Sequence, residues 1–176
     1  MLGLSVALIA TAGALSLPGV MRLGDQILAP ASCGVRETLW IDHYAAVLYA
    51  PADERPEVTL LDPSRAKALE IQIVNSAFIP GGLPRKYRRA LEQRLDADTF
   101  GRVQTAYRML QSGDSVSVAY LPGEGVSLRH NGELVARASG HALLESILDV
   151  WADGKPVPTR LHSTIARHPC HNHFAG

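Results

Sequence analysis

The sequence predicts an α+β fold in which a layer of helices packs on one face of an antiparallel β-sheet. Apolar and polar residues alternate in segments toward both ends of the chain, whereas in the middle the apolar residues recur every four positions. The elements therefore follow the order strands, helices, strands, helix, which is typical of this class. Asn131-Gly132 lies between two alternating segments and suits the tight turn of an antiparallel hairpin.

The first strands are expected before residue 75. The segment "VMRLGDQILAP" is interpreted as a strand or hairpin that is broken at Gly24-Asp25. Residues 39–49 are rich in aromatic and aliphatic residues, and "LEIQIV" (residues 69–74) alternates, so each segment predicts a strand. The polar stretch between them is rich in turn residues and could hold a short helix after Asp62-Pro63.

Two helices are predicted next. The buried stripe of the first helix consists of residues spaced by four: Leu83, Tyr87, Leu91 and Leu95. The second helix is expected to begin at Asp98, a residue type that caps helix N-termini, and to end at Ser112-Gly113. Its buried face is expected to comprise Phe100, Val103, Tyr107 and Leu110.

The C-terminal part of the domain is predicted to return to strands. "DSVSVAYLP" alternates as a strand, and "GVSLRHNGELVARA" forms the hairpin that turns at Asn131-Gly132. A last helix is expected in "HALLESILDVWADG" and should end at Gly154. Its apolar face is predicted to consist of Leu144, Ile147, Leu148 and Trp151.

Length and charge limit the classes of function. The chain has 176 residues, enough for one domain with a hydrophobic core, and shows no clear linker to a second. Its 17 basic and 17 acidic residues balance, whereas a nucleic-acid-binding protein would show a basic excess. We therefore expect no nucleic-acid partner.

The N-terminal segment differs from the rest of the chain because residues 1–21 contain no charged side chain. The apolar run before Ala12-Gly13-Ala14 is typical of a signal peptide, although no basic residue precedes it. A membrane-anchoring helix is the alternative, but glycines and a proline interrupt a run that is short for a span of about 20 residues. We expect a signal peptide over residues 1–17, a domain over residues 18–162, and a periplasmic or secreted protein.

Cysteines and histidines supply two further expectations. Cys33 and Cys170 could pair in an oxidising compartment, but nothing in the sequence brings them together, so independent thiols are expected. Residues 163–176 are expected to form a flexible tail rather than a metal site, and no cofactor is predicted. The residues of zinc- or copper-binding type in that tail are His168, Cys170, His171 and His173.

The order and spacing of the segments resemble the chalcone isomerase superfamily. The resemblance is carried by "CGVRETLWIDHYAAVLYAP", a helical middle, and "SVSVAYLPGEGVSLRHNGELVARASGHALLESILDVWADGKPVPTRL". It extends from about Val20 to Leu161 and is closest to a bacterial, exported branch of the superfamily. The resemblance implies an antiparallel sheet, a layer of helices packed against it, and a ligand cleft between them.

The superfamily contains isomerases that close a flavonoid ring and non-catalytic members that bind fatty acids. Both groups use the arginine that corresponds to Arg36. Tyr44 stands where the plant enzymes carry a threonine, and a tyrosine there resembles the fatty-acid binders. Leu83 and Ala90 stand where the enzymes carry a catalytic tyrosine and an asparagine, so the resemblance favours binding over catalysis.

Arg36 and Tyr44 are suited to hold a carboxylate, because a guanidinium offers a planar fork of donors and a phenol adds an O–H donor. Their separation of eight residues would put both on one side of a continuous strand. A tight turn near residues 38–40 would instead place them across a hairpin. The competing interpretation is that Arg36 pairs with a carboxylate such as Glu37 or Asp42 at a surface rim.

The leading hypothesis is non-catalytic binding of a fatty acid or similar amphipathic anion. The ligand-binding residues would be Arg36, Tyr44, Lys86 and Ser146. Lys86 and Ser146 are included because they match family positions near the cleft. The alternative is an isomerase, an intramolecular lyase that acts on an unknown substrate, with Arg36 as its catalytic candidate. A third hypothesis is an envelope protein that binds a partner and has a vestigial cleft.

Two neighbouring features have competing interpretations. The basic residues 85–89 could contact an anionic membrane surface beside the cleft, but a solvated helix face is favoured. His43 follows the alternation of a strand and is therefore expected to point away from the face of Tyr44, as a structural histidine.

Overall fold

The computed structural model describes residues 18–38, 41–52 and 62–152, without the side chains of residues 36–38 and 149–152. Within these residues, seven strands form one antiparallel sheet in which each strand pairs with its neighbours in sequence. Three α-helices accompany the sheet, so the α+β class that the sequence predicts is confirmed. The expected signal peptide and the tail with His168, Cys170, His171 and His173 lie outside the described residues.

The strands are β1 Met21–Leu23, β2 Gln26–Thr38, β3 Ile41–Pro51, β4 Lys67–Ile73, β5 Ser115–Leu121, β6 Gly125–His130 and β7 Glu133–Ala138. The helices are α1 Arg85–Glu92, α2 Ala97–Arg108 and α3 Ala142–Ala152. The helices of the middle segment thus connect β4 to β5, and α3 follows the last strand.

The main core lies between the sheet and the helices. Four cross-strand neighbours form a buried row on the helix-facing side of β4 to β7: Leu69, Val118, Leu128 and Ala136. The helices cover this side with buried residues at helical spacing: Leu91, Val103, Leu143, Leu144 and Ile147. Burying a side chain of this size contributes about 1.5–3 kcal/mol, so the row and its helical cover anchor the fold.

A second, smaller core lies on the opposite side of the sheet. Its buried members include Leu28, Val47, Tyr49, Ala68 and Ala119. The Tyr49 hydroxyl donates a 2.6 Å hydrogen bond to the carbonyl oxygen of Pro18. Burial, together with the nearby negative charge of Glu70, raises the pKa of Tyr49 to about 12.

Cys33 belongs to this second core and is disulfide-bonded. The expectation of an independent thiol at this position is therefore wrong. Cys170, the only other cysteine of the sequence, lies outside the described residues. The sequence could not indicate the bond, because the position of Cys33 in the second core depends on how the sheet is assembled.

The hairpin turns follow their sequence signals. Asn131 and Gly132 have φ values of 50° and 81°, which confirms the predicted turn with two left-handed residues between β6 and β7. Gly24, with φ of 58°, forms the turn between β1 and β2 where the sequence indicated a break. Both turns join adjacent antiparallel strands and so set the order of the sheet.

Three local predictions need correction. No helix follows Asp62-Pro63; the Asp62 carboxylate instead accepts a 2.8 Å hydrogen bond from the Ser64 backbone N–H and stabilises a turn. The cap of α2 is Asp96 rather than Asp98, because the Asp96 carboxylate accepts from the Thr99 N–H at 2.9 Å. Helix α1 is shorter than its apolar stripe, although the flanking leucines still pack on the core.

Candidate functional site: an apolar cavity between sheet and helices

A cavity of about 420 Å³ lies between one end of the sheet and the helices, within the size range of small-molecule sites. Side chains from four adjacent strands form its floor: Tyr44, Ile71, Ile73, Val116, Leu128 and His130. The pairs on β4 and on β6 occupy alternate positions, and Tyr44 and Val116 are cross-strand partners of Ile73 and His130, so all six share one face of the sheet.

The helices form the walls of the cavity. Tyr87 and Leu91 are four residues apart on α1, and Val103 and Tyr107 are four residues apart on α2, so each pair lies on one helix face. Ile147 of α3 completes the wall. The apolar stripes that the sequence predicts for the middle helices therefore line a cavity rather than only filling a core.

The loop between β4 and α1 roofs the cavity with Phe78, Ile79 and Leu83. Its start is held by hydrogen bonds from the backbone N–H groups of residues 74 and 75 to the carbonyl oxygen of His43, at 2.9 and 3.0 Å. A further bond of 3.0 Å joins the Ser76 N–H to the Ser112 hydroxyl. The roof is thus tied to β3 and to the segment that precedes β5.

His43 and Tyr44 both line the cavity, although adjacent strand residues were expected on opposite faces. The loop after β4 folds back on His43 and carries Phe78 onto its imidazole ring. The two rings are stacked, with centroids 4.7 Å apart and an interplanar angle of 10°. The cavity includes His43 because of this tertiary contact, which strand periodicity alone does not predict.

Arg36 and Tyr44 are directly opposed partners in the register of β2 and β3. Of the two arrangements considered from the sequence, the structure has the hairpin rather than one continuous strand. Tyr44 contributes to the floor of the cavity. The side chain of Arg36 lies outside the described residues, so its contact with a ligand stays a prediction.

Lys86 and Ser146 are not among the residues that line the cavity. Lys86 is exposed on α1, and the Ser146 hydroxyl donates a 2.8 Å hydrogen bond to the carbonyl oxygen of Ala142 in its own helix. Leu83 does line the cavity, whereas Ala90 does not. Of the described side chains that the family resemblance singles out, Tyr44 and Leu83 thus line the cavity, whereas Lys86, Ala90 and Ser146 do not.

The polar groups of the cavity are phenols and imidazoles. Among the residues that the structure describes, no Asp, Glu, Lys or Arg side chain lines it. The phenols belong to Tyr44, Tyr87 and Tyr107, and the imidazoles to His43 and His130. Such a lining suits an apolar ligand body and offers it a few hydrogen-bonding positions.

Sequence analysis missed His130, whose ring is held by a carboxylate. Its Nε2 lies 2.8 Å from Oδ2 of Asp114. Desolvation tends to raise the pKa of Asp114, but hydrogen bonds from Asn131, the Gln111 backbone and His130 lower it below its ordinary value. The alternation of Val126, Leu128 and His130 along β6 was the signal that could have placed this ring on the helix-facing side.

Metal clusters and membrane-spanning helices are two further kinds of feature that the described part of the chain could carry. No group of three or more His, Cys, Asp or Glu side chains there could hold a metal ion. None of the described helices combines the length and apolar character that a membrane span requires.

The chain is similar to known proteins in sequence and in structure. The sequence model of the chalcone isomerase-like family matches residues 10–165. The crystal structure of a fatty-acid binding protein from Arabidopsis thaliana has the same fold, with a TM-score of 0.53 and 17% sequence identity. That similarity covers 85% of this chain and 90% of the plant protein. Comparison with curated protein sequences yields no match.

Proposed function

The chain belongs to the chalcone isomerase-like family, and from that premise we propose that it binds a fatty acid or a similar amphipathic anion without transforming it. The observation that carries the proposal is the apolar cavity of about 420 Å³ beneath the helices. The fold similarity to a plant fatty-acid binding protein supports the same ligand class.

The register of β2 and β3 supports a role for Arg36 in holding the anionic group. Directly opposed residues of an antiparallel ladder share a face of the sheet, and Tyr44, the partner of Arg36, lies in the cavity floor. An arginine at this end would supply the cation that the described lining lacks. In this proposal the ligand carboxylate is bound by Arg36 and Tyr44, and the chain extends along the isoleucines of β4.

Most of the affinity would come from the acyl chain. Burial of each CH₂ contributes about 0.8 kcal/mol, so a long chain supplies about 10 kcal/mol before the cost of association. A charge-assisted hydrogen bond adds about 1.5–3 kcal/mol. The apolar wall would therefore determine how tightly the ligand binds, and Arg36 would determine its orientation.

We propose the absence of a catalytic role because of a residue that lines the cavity. The family resemblance aligns Leu83 with a catalytic tyrosine of the isomerases, and Leu83 lies in the roof of the cavity. An aliphatic side chain at this place cannot donate or accept a proton. The isomerase alternative would need a different group to take that role.

The test is native mass spectrometry together with a titration with dodecanoic acid, for the wild type and Arg36→Ala. Removal of the guanidinium should weaken binding by about tenfold or more, because a charge-assisted hydrogen bond is lost. Arg137→Ala is the matched control, since Arg137 is exposed on β7 and does not line the cavity. Equal binding by the wild type and Arg36→Ala would end this version of the proposal.

The proposed setting is the periplasm or the extracellular space, because residues 1–17 have the apolar pattern of a signal peptide. Sequencing the N-terminus of the protein isolated from its native cells tests this proposal. A mature chain that begins near residue 18 is expected, and a chain that retains the first residues would contradict cleavage.

A further inference from the structure

A network of polar groups surrounds His130 at the side of the cavity remote from Tyr44. Asp114, just before β5, accepts hydrogen bonds of 2.8 Å from the Asn131 side-chain amide and from the Gln111 backbone N–H. Its Oδ2 also lies 2.8 Å from Nε2 of His130. The imidazole is therefore fixed at one nitrogen by a carboxylate that is itself held by two other donors.

This network determines which nitrogen of His130 carries the proton. An ionised carboxylate only accepts hydrogen bonds, and the lowered pKa of Asp114 keeps it ionised, so Nε2 is the donor. When the imidazole is neutral, its lone pair is then on Nδ1. Among the described residues, no hydrogen bond is formed to Nδ1 of His130, and the ring lines the cavity.

The position of His130 relative to Tyr44 gives the cavity two polar ends. Tyr44 is on β3 and His130 is on β6, three strand spacings or about 14 Å away across the sheet. The floor between them is apolar and includes Ile71, Ile73 and Val116. A ligand whose anionic group lies near Tyr44 would therefore place a distant part of its chain beside His130.

We propose that Nδ1 of His130 accepts a hydrogen bond from a hydroxyl group on the chain of the ligand, so that the preferred ligands are hydroxylated fatty acids. This inference rests on the proposed function of the cavity. The negative charge of Asp114 disfavours a carboxylate at this end, whereas a neutral hydroxyl is a donor that matches the acceptor on Nδ1. Asp114 acts here as a positioning residue, because it selects the tautomer and orients the ring.

The probes are dodecanoic acid and a series of hydroxydodecanoic acids that differ only in the position of the hydroxyl group. At least one isomer is expected to bind the wild type about three- to tenfold more tightly than dodecanoic acid, the effect of one added hydrogen bond. In His130→Phe the same isomer should bind more weakly than dodecanoic acid, because its hydroxyl would be buried without a partner.

His141→Phe is the matched control. His141 is also partly exposed and paired with a carboxylate, Glu145, at 2.9 Å, but it does not line the cavity. This variant should keep the preference of the wild type for the hydroxylated isomer. The binding of dodecanoic acid and of its hydroxylated isomers is also compared on the wild type alone. If His130→Phe does not fold, this comparison still tests the inference.

The remaining outcomes separate this inference from the proposed function. If dodecanoic acid binds the wild type and no hydroxylated isomer binds more tightly, the role of His130 is overturned while fatty-acid binding stands. Retention of the preference in a folded His130→Phe also overturns it. Failure of every acid to bind the wild type would overturn both proposals.

Discussion

The same strands form both ends of the helix-facing side of the sheet, but different elements cover the two ends. At one end, which we call the closed end, Lys67 and Tyr120 are buried cross-strand partners, and Tyr120 belongs to the same buried cluster as Leu143 and Leu144. The other end, the cavity end, includes Ile71 and Ile73 of β4, the latter about 20 Å from Lys67 along the strand. The same strands thus carry a filled core at one end and the 420 Å³ cavity at the other.

Polar groups show the difference most clearly. At the closed end, the Lys67 ammonium donates to the carbonyl oxygen of Asp62 at 2.9 Å, and the Tyr120 hydroxyl donates to that of Pro63 at 2.6 Å. The turn before β4 therefore satisfies both buried side chains. At the cavity end, His130 forms its bond to Asp114 and still presents its ring to the cavity. One end is thus fully packed, whereas the other keeps polar side chains beside an open cavity.

The covering elements explain why only one end is filled. Helix α3 begins over the closed end and projects leucines onto the sheet. The cavity end is roofed by the loop after β4, in which Pro80, Gly81 and Gly82 supply no long side chain that could fill the space below. A regular helix at that place would bury side chains at every turn.

The largest expected difference between the two ends is the cost of truncating a leucine. Leu144→Ala at the closed end should lower the free energy of unfolding by about 2–5 kcal/mol, because it opens a new cavity in a packed core. Leu83→Ala at the cavity end should cost about 1 kcal/mol, since this half-buried side chain already borders empty space. Chemical denaturation of the ligand-free proteins measures both. Equal costs would show that the cavity end is packed as tightly as the closed end.

Replacing an alanine by leucine tests the same difference in packing by adding volume instead of removing it. Ala136→Leu, in the buried row under the helices, should cost about 1–3 kcal/mol through overpacking. Ala106→Leu projects into the cavity and should change the free energy of unfolding by less than about 1 kcal/mol, while it weakens the binding of dodecanoic acid. Denaturation and titration of both variants provide the measurements. Unchanged binding by Ala106→Leu would place the ligand elsewhere.

The smallest expected effect is the pH dependence of the closed end. Desolvation lowers the pKa of Lys67 below its ordinary value of 10.5, although the charges of Asp62 and Glu145 oppose the shift. Between the lowered pKa and 10.5 the unfolded chain binds more protons than the folded protein, so stability should fall as the pH is lowered through this window.

Denaturation at a series of alkaline pH values, for the wild type and Lys67→Met, measures this dependence. The rise in stability with pH that Lys67 causes should be present in the wild type and absent from Lys67→Met, which has no ammonium. Tyr49 titrates near pH 12 in both proteins and cancels from the difference. Parallel pH profiles would mean that Lys67 is as well solvated in the folded protein as in the unfolded chain.

Local patterns predicted the parts of the fold that depend on neighbouring residues. The turn at Asn131-Gly132 was predictable because few residue types adopt two successive left-handed conformations. The helical stripes were predictable because their spacing places apolar side chains on one face. The cap at Asp96 was missed because two aspartates stand two positions apart and either is a suitable residue type.

The candidate site was predictable only in part, because its residues come from distant segments. Family resemblance indicated Arg36 and Tyr44, and the register of β2 with β3 opposes them. Lys86 and Ser146 were indicated by the same resemblance, but they do not line the cavity. Neither the packing of Phe78 on His43 nor the pairing of His130 with Asp114 follows from the order of residues along the chain.

The sequence by itself determined the class of fold, the order of its strands and helices, and the faces that they bury, because periodicity and turn chemistry act over a few residues. Only the tertiary structure decided that one end of the sheet is filled by α3 and the other is left as a cavity. It also placed His130 at a polar end of that cavity, remote from Tyr44. These outcomes depend on which loop covers which strand, and that is settled when segments far apart in sequence pack together.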